Sequence, residues 1–264
     1  MKTLVPYVTG GVTADWADYL LAFQEAGADA IEVGLPFSDP MLDGITIQRA
    51  ADQALARGVT VASILDDLAR VRDRVHVPLI AFVYANLVFR RGPAAFCRLL
   101  ADAGIGGLIV PDLPLDEAAT VQIAAAEVGI DLILLAAPVT PDDRLAEIAR
   151  QSRGFIYAIS RMGTTGERDA LAESAALLGA RIRAITDTPV LIGFGVAGPD
   201  QAEAAGRAGD GVVIGSALMR RVLDGATPAD LREEVAVLRA AVDRADLEVS
   251  ADRTPYAEVP GHRG

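Results

Sequence analysis

The chain has 264 residues, 52% hydrophobic and 23% charged, which fits one large domain or two small ones, with a core buried without disulfide or metal staples. Its 36 acidic and 24 basic residues give a net charge of −12, which repels nucleic acid, and no apolar run reaches the roughly 18 residues of a membrane helix. A single cysteine, Cys97, excludes an internal disulfide, and His76 and His262 have no ligand-spaced partners that would make a metal site.

The start, Met-Lys-Thr-Leu-Val-Pro-Tyr, is broken too early by Pro6 to read as a signal peptide, which points to the cytoplasm. Leu4–Val8 is an apolar run ending at Thr9-Gly10-Gly11 and reads as a first strand. Thr13 is placed to cap a helix over Ala14–Ala26 that stops at Gly27. Ala30–Val33 is the second strand. Thr46–Arg57 is a helix closed by Gly58, and Thr60 caps another that runs to about Arg74. Pro78–Val83 is the third strand, and Gly92-Pro93 opens a helix to Ala103. Gly107–Val110 is the fourth strand, followed by Pro111-Asp112-Leu113-Pro114 and a helix from about Asp116 to Val128. Leu132–Leu135 is the fifth strand, and Thr140-Pro141 starts a helix to about Gln151. Phe155–Ile159 is the sixth, and a long loop leads to a helix from about Ala170. Val190–Gly193 is the seventh, with Pro199–Ala208 as its helix. Val212–Ile214 is the eighth, with a helix from Ser216, and a last helix covers roughly Pro228–Asp246.

Short Val/Ile/Leu/Ala strands alternating with helices mark parallel strands buried on both faces. Eight such units predict an α/β fold, a single (β/α)8 TIM barrel over residues 1–249, with 250–264 as an extended or disordered tail. A doubly wound open sheet competes, but the G-x-G-x-x-G turn after the first strand is missing.

In such a barrel the working groups gather at the carboxyl ends of the strands. Glu32 interrupts the apolar second strand on the face opposite Ile31 and Val33. A carboxyl closed in there is either salt-bridged or shifted in pKa for proton transfer. Asp43 lies in the following loop. Tyr84 after strand three and Tyr157 on strand six face the same mouth, either as site groups or as wall packing with satisfied hydroxyls. The later loops are rich in glycine: Ser160-Arg161-Met162-Gly163-Thr164-Thr165-Gly166, Gly193-Phe194-Gly195 and Gly215-Ser216. Glycine lets backbone N–H groups approach an anion, and Ser216 opens a helix whose N-terminal end is positive. The pattern predicts a metal-free barrel enzyme that acts on a phosphorylated small molecule with a carboxylate pair. Lys2 is the only lysine, and it stands at the wrong place for a Schiff base.

The run Glu32-Val33-Gly34-Leu35-Pro36-Phe37-Ser38-Asp39-Pro40 with Asp43-Gly44 resembles the signature of the tryptophan synthase alpha chain family. So, in order, do Tyr84–Phe89, Val110–Pro114, Ser160-Arg161 with Gly163 and Thr165-Gly166, Gly193-Phe194-Gly195 and Gly215-Ser216, over about residues 4–245. The resemblance implies tryptophan biosynthesis: cleavage of indole-3-glycerol phosphate to indole and glyceraldehyde 3-phosphate, a carbon–carbon lyase reaction without cofactor or metal. It implies Glu32 as general acid–base and Asp43 beside the indole N–H. Tyr84, Tyr157, Thr165, Phe194, Leu87 and Leu113 would contact the substrate, and Gly166, Gly195, Gly215 and Ser216 would hold its phosphate. Arg161–Asp169 would form a lid in which Thr165 meets the loop after strand two, and a pyridoxal-phosphate-dependent beta chain would be the partner.

The chain departs from the family pattern at Ile45, usually proline, at Gly10-Gly11-Val12-Thr13, usually Gly-Asp-Pro, and at Phe155, where tyrosine is frequent. The usual N-terminal helix capping the barrel bottom is also lacking, which leaves the tail near Tyr256 as a cover. These departures bear on the beta-chain contact, so a stand-alone lyase remains an alternative, as do a catalytically idle regulatory subunit and another phosphate-binding barrel enzyme.

Overall fold

A computed structural model describes residues 1–159, 168–193 and 195–252. The parallel strands β1 (Thr3–Thr9), β2 (Ile31–Gly34), β3 (Leu79–Phe82), β4 (Ile105–Ile109), β5 (Asp131–Ala136), β6 (Ile156–Ile159), β7 (Val190–Gly193) and β8 (Gly211–Ile214) close in sequence order into a barrel. Closure is made by β1 on β8, with Leu4 opposite Val212 and Pro6 opposite Ile214. Seven of the eight strands are four to six residues long, and apart from Gly106, Leu135 and positions at strand ends all eight are buried, as a sheet covered on both faces requires.

The outer layer comprises α1 (Trp16–Glu25), α2 (Ile45–Ala56), α3 (Val61–Val71), α4 (Ala85–Arg91), α5 (Pro93–Asp102), α6 (Ala119–Glu127), α7 (Asp142–Gln151), α8 (Arg168–Arg183), α9 (Pro199–Ala208), α10 (Ser216–Leu223) and α11 (Pro228–Asp252). α1 buries Trp16, Tyr19, Leu20 and Phe23, the i, i+3, i+4, i+7 face of a helix lying on a sheet. Each such side chain contributes roughly 1.5–3 kcal/mol by leaving water. α3 starts from a capping box in which Thr60 and Ser63 bond each other's backbone N–H.

Several sequence expectations change. Thr13 does not cap α1: the helix begins only at Trp16, whose indole Nε1 donates to Asp67 on α3, and Asp15 takes the cap position without a side-chain bond. The stretch after β3 is itself a helix, α4. Gly92, at φ +80°, ends α4 and starts α5, so one glycine hides two elements. The helix expected from Asp116 is split into a 3-10 turn at Leu115–Glu117 and α6. α11 continues to Asp252, and the remaining tail, with Tyr256, lies outside the described residues.

No helix precedes β1 among the described residues. The amino ends of the strands open onto a hollow of about 290 Å³ lined by Thr3, Ala30, Pro78, Gly106, Phe155 and Pro189, among others. No described helix is long and apolar enough to cross a membrane.

Candidate active site

The carboxyl ends of the strands surround a narrow cavity of about 50 Å³. β2 supplies Glu32 from inside the barrel, where it is 2% exposed. Its neighbours in register are Tyr7 on β1 and Ile80 on β3. One carboxyl oxygen, Oε2, is buried without a hydrogen-bond partner among the described residues. A carboxylate held that way is penalised, so the proton stays on: burial first, and then the charge of Asp43, push the Glu32 pKa from its ordinary 4.5 to about 8.

Asp43 reaches the cavity from the loop that leads into α2. Its backbone carbonyl accepts from Gln48 Nε2 at 2.8 Å, which ties the loop to the first turns of α2. Burial pushes its pKa up to about 6, while a hydrogen bond from Tyr84 works in the opposite direction. The Tyr84 ring stacks on Phe37 with centroids 5.3 Å apart, and its oxygen accepts from the Leu42 N–H at 3.1 Å. Tyr84 therefore organises the Asp43 loop from behind, and it does not line the cavity itself.

Tyr157 does line the cavity, buried among the strands. Burial and then Glu32 hold its hydroxyl well above the usual phenol range, so it stays protonated. The same cavity is bordered by Gly195, at φ +83°, with Val196, Gly215 and Ser216. Gly215 is the N-cap of α10 and Ser216 its first residue, so free N–H groups at the positive end of that helix border the cavity.

Glu32, Asp43, Tyr157, Gly195, Gly215 and Ser216 thus come together as expected from the sequence. Leu87 and Leu113 do not line the cavity; both are half-buried against the core. Thr165, Gly166 and Phe194, and the loop expected to act as a lid, apart from its last residues Arg168 and Asp169 in α8, lie outside the described residues.

The sequence reading missed Tyr7, Ile47, Phe82, Val196 and Val213, all of which line the cavity. Tyr7 had a visible signal. It alternates with Val5 and Thr9 on one face of β1, and its polar tip near the strand's end parallels the placement of Glu32 on β2.

Fold and site define the class first: a (β/α)8 barrel with two carboxyl groups, Glu32 and Asp43, in a cavity at the carboxyl ends of its strands. The family is narrower. The family model "Tryptophan synthase alpha chain" matches residues 1–249, and the chain belongs to that family. The tryptophan synthase alpha chain of Picosynechococcus is 45% identical over 232 residues, covering 86% of this chain and 87% of that protein. That of Gloeobacter violaceus is 45% identical over 219 residues, covering 82% and 79%. Among solved structures, a ligand-free tryptophan synthase from M. tuberculosis superposes with a TM-score of 0.83 at 37% identity, covering 91% of this chain and 93% of that one. The tryptophan synthase α2β2 complex of Pyrococcus furiosus gives 0.84 at 34% identity, covering 91% and 100%.

Proposed function

We propose that this chain cleaves indole-3-glycerol phosphate to indole and glyceraldehyde 3-phosphate, as the alpha chain of a tryptophan synthase. The observation that carries the reading is the Glu32 carboxyl, buried inside the mouth with its pKa pushed up to about 8, in the same cavity as a glycine-lined helix terminus.

The chemistry needs such a group. Indole leaves carbon only after its C3 takes a proton and the ring becomes an electron-accepting indolenine. Glu32, neutral near pH 7, gives that proton. The chain hydroxyl on the carbon bonded to C3 then loses its proton to the Glu32 carboxylate. The carbon–carbon bond breaks, its electrons return to the ring, and the carbon left behind becomes an aldehyde. Glu32 ends protonated, as it began. Asp43, the more acidic of the pair, accepts the indole N–H and stabilises the positive charge that develops there. Tyr84 holds the Asp43 loop, and Tyr157 walls the pocket. The N–H groups at Gly215 and Ser216, with Gly195 beside them, bind the phosphate.

The proposed partner is a beta chain. Met41, Leu42 and Ile45, beside Asp43, are 89%, 54% and 76% exposed, an apolar edge on the loop that would transmit contact to the site. The Pyrococcus furiosus relative is described as part of a mutually activating α2β2 complex. A beta chain added to the pure protein is expected to raise the rate of indole formation. The reading also places the enzyme in the cytoplasm.

The deciding assay mixes the purified chain with indole-3-glycerol phosphate, with and without a beta chain, and follows indole. A protein inert in both arms would refute the reading. Activity retained by Glu32→Gln would refute the proton-transfer role.

A further inference from the structure

One polar group in the cavity has no part in the scheme above. Tyr7 stands on β1 directly opposite Glu32 and lines the same cavity as Glu32 and Asp43. Its position is defined by two glycines. A Cβ built on Gly34 would lie 2.0 Å from the Tyr7 hydroxyl oxygen and 2.6 Å from Cζ, so the phenol tip fills the space of that missing side chain. A Cβ built on Gly215 would lie 3.3 Å from the Tyr7 Cβ, so the base of the same side chain abuts the N-cap of α10.

Gly34 lies two residues beyond Glu32 on the same strand face. The hydroxyl therefore sits one layer, about 7 Å along the strand, nearer the mouth than the Glu32 backbone. Tyr7 thus flanks the route from the acid to the helix terminus. A three-carbon chain with its reacting carbon at Glu32 and its phosphate at α10 runs past this side chain.

The hydroxyl is a standing donor. Burial first, and then the charge of Asp43, keep it protonated far above the usual phenol range. Its bond in the unliganded protein is to Thr9 Oγ1 at 3.1 Å, long for two hydroxyls. Thr9, 1% exposed, can turn from acceptor to donor, which frees the phenol proton for a ligand oxygen while the phenol oxygen still receives a bond. Packing alone does not call for this oxygen: the ring meets Phe82 edge-on at 6.4 Å, a contact that phenylalanine would keep.

We propose that Tyr7 is a further substrate-binding residue whose hydroxyl, seated over Gly34 beside Glu32, donates a hydrogen bond to a hydroxyl of the substrate's three-carbon chain. This rests on the reading that the substrate is indole-3-glycerol phosphate. The bond fixes the rotation of the chain, and with it the alignment of the breaking carbon–carbon bond with the indole ring.

The test compares two ligands in the full chain carrying Glu32→Gln, so that neither turns over. One is indole-3-glycerol phosphate. The other is indole-3-propanol phosphate, with the same ring, chain length and phosphate but neither chain hydroxyl. Adding Tyr7→Phe should weaken the first roughly five- to tenfold by calorimetry, the size of one lost hydrogen bond, and leave the second within about twofold. Equal weakening of both ligands would make Tyr7 a packing residue and overturn the inference. No weakening of either would do the same. Should Tyr7→Phe fail to fold, Tyr7→Met makes the same comparison with a flexible side chain that carries no donor. A loss confined to the glycerol ligand supports the inference, and equal losses or none refute it. If the parent protein releases no indole, the substrate reading falls and takes this inference with it. Indole release together with ligand-independent losses sinks this inference alone.

Discussion

Replacing Glu32 by glutamine should abolish turnover and stabilise the protein, by an amount that depends on pH. In the folded chain the carboxyl titrates at about 8, against an ordinary 4.5, because burial and Asp43 oppose its charge. The folded state therefore binds this proton more tightly than the unfolded chain does. Where that holds, stability falls as pH rises, from about 4.5 up to about 8. At 1.36 kcal/mol per pH unit, the penalty is about 1 kcal/mol at pH 5 and about 4 kcal/mol at pH 8. Glutamine has nearly the same shape and no proton to lose, so the variant escapes this penalty. Its unpaired amide carries a fixed cost, which does not change with pH.

The difference in melting temperature between Glu32→Gln and the parent should therefore grow between pH 5 and pH 8. For a chain of this size, the change of about 3 kcal/mol corresponds to roughly 6–12 °C. Thermal scans at half-unit pH steps measure it, and indole release is assayed on the same samples. A melting-temperature difference that stays flat across this range would show that Glu32 is not held protonated by the fold, and the proposed acid would lose its physical basis.

Further substitutions test the surroundings. Gly34→Ala puts a methyl group into the space of the Tyr7 hydroxyl; overpacking should cost about 1–3 kcal/mol in denaturant melts and depress kcat/KM, and a neutral result would show that the ring is not pinned there. Tyr84→Phe removes the donor that lowers the Asp43 pKa, so the acid limb of the kcat/KM profile should move upward from about 6; an unmoved limb would take Asp43 out of that limb. Ser216→Asp places a like charge where the phosphate is proposed to sit. KM should rise at least about tenfold with kcat nearly kept, and an unchanged KM would put the phosphate elsewhere.

The barrel was legible because its strands are short, continuous apolar runs, and most helices between them stop at a glycine. α4 escaped notice because the signal at Gly92 serves two helices at once. Thr13 misled because a Thr-Ala-Asp sequence looks like a cap, whereas burying Trp16 fixed where α1 could begin. Strand alternation set Glu32 on the face opposite Ile31 and Val33, but it was the loop and glycine-rich segments that follow which made it a candidate site residue. The alternation of β1 pointed to Tyr7 without deciding its role, since a tyrosine in an apolar strand fits core and site alike. Only the register, Tyr7 opposite Glu32, and the gap at Gly34 distinguish them. Leu87 and Leu113 show the converse. Apolar residues beside a motif have no periodicity that says whether they face the cavity or the core.

The glycines at the ends of β2 and β7 have a common reason that the backbone does not supply. Neither Gly34 nor Gly193 has a positive φ. Each instead leaves a place for a phenol from the preceding strand. Tyr7 is paired with Glu32 and leans onto Gly34, two residues further along β2. Tyr157 is paired with Leu191 and leans onto Gly193, two residues further along β7, where a Cβ would lie 2.5 Å from its hydroxyl oxygen. The same device appears twice, on β1–β2 and on β6–β7, and it lets two aromatic rings roof the barrel interior without filling the mouth. Their register partners differ: a carboxyl stands opposite Tyr7, whereas Leu191, opposite Tyr157, lines the hollow at the other end of the barrel. The burial that keeps Glu32 protonated comes in part from these rings. Gly34 on β2 and Gly193 on β7 make room for these rings, so a change at either glycine should reach the chemistry without touching a carboxyl.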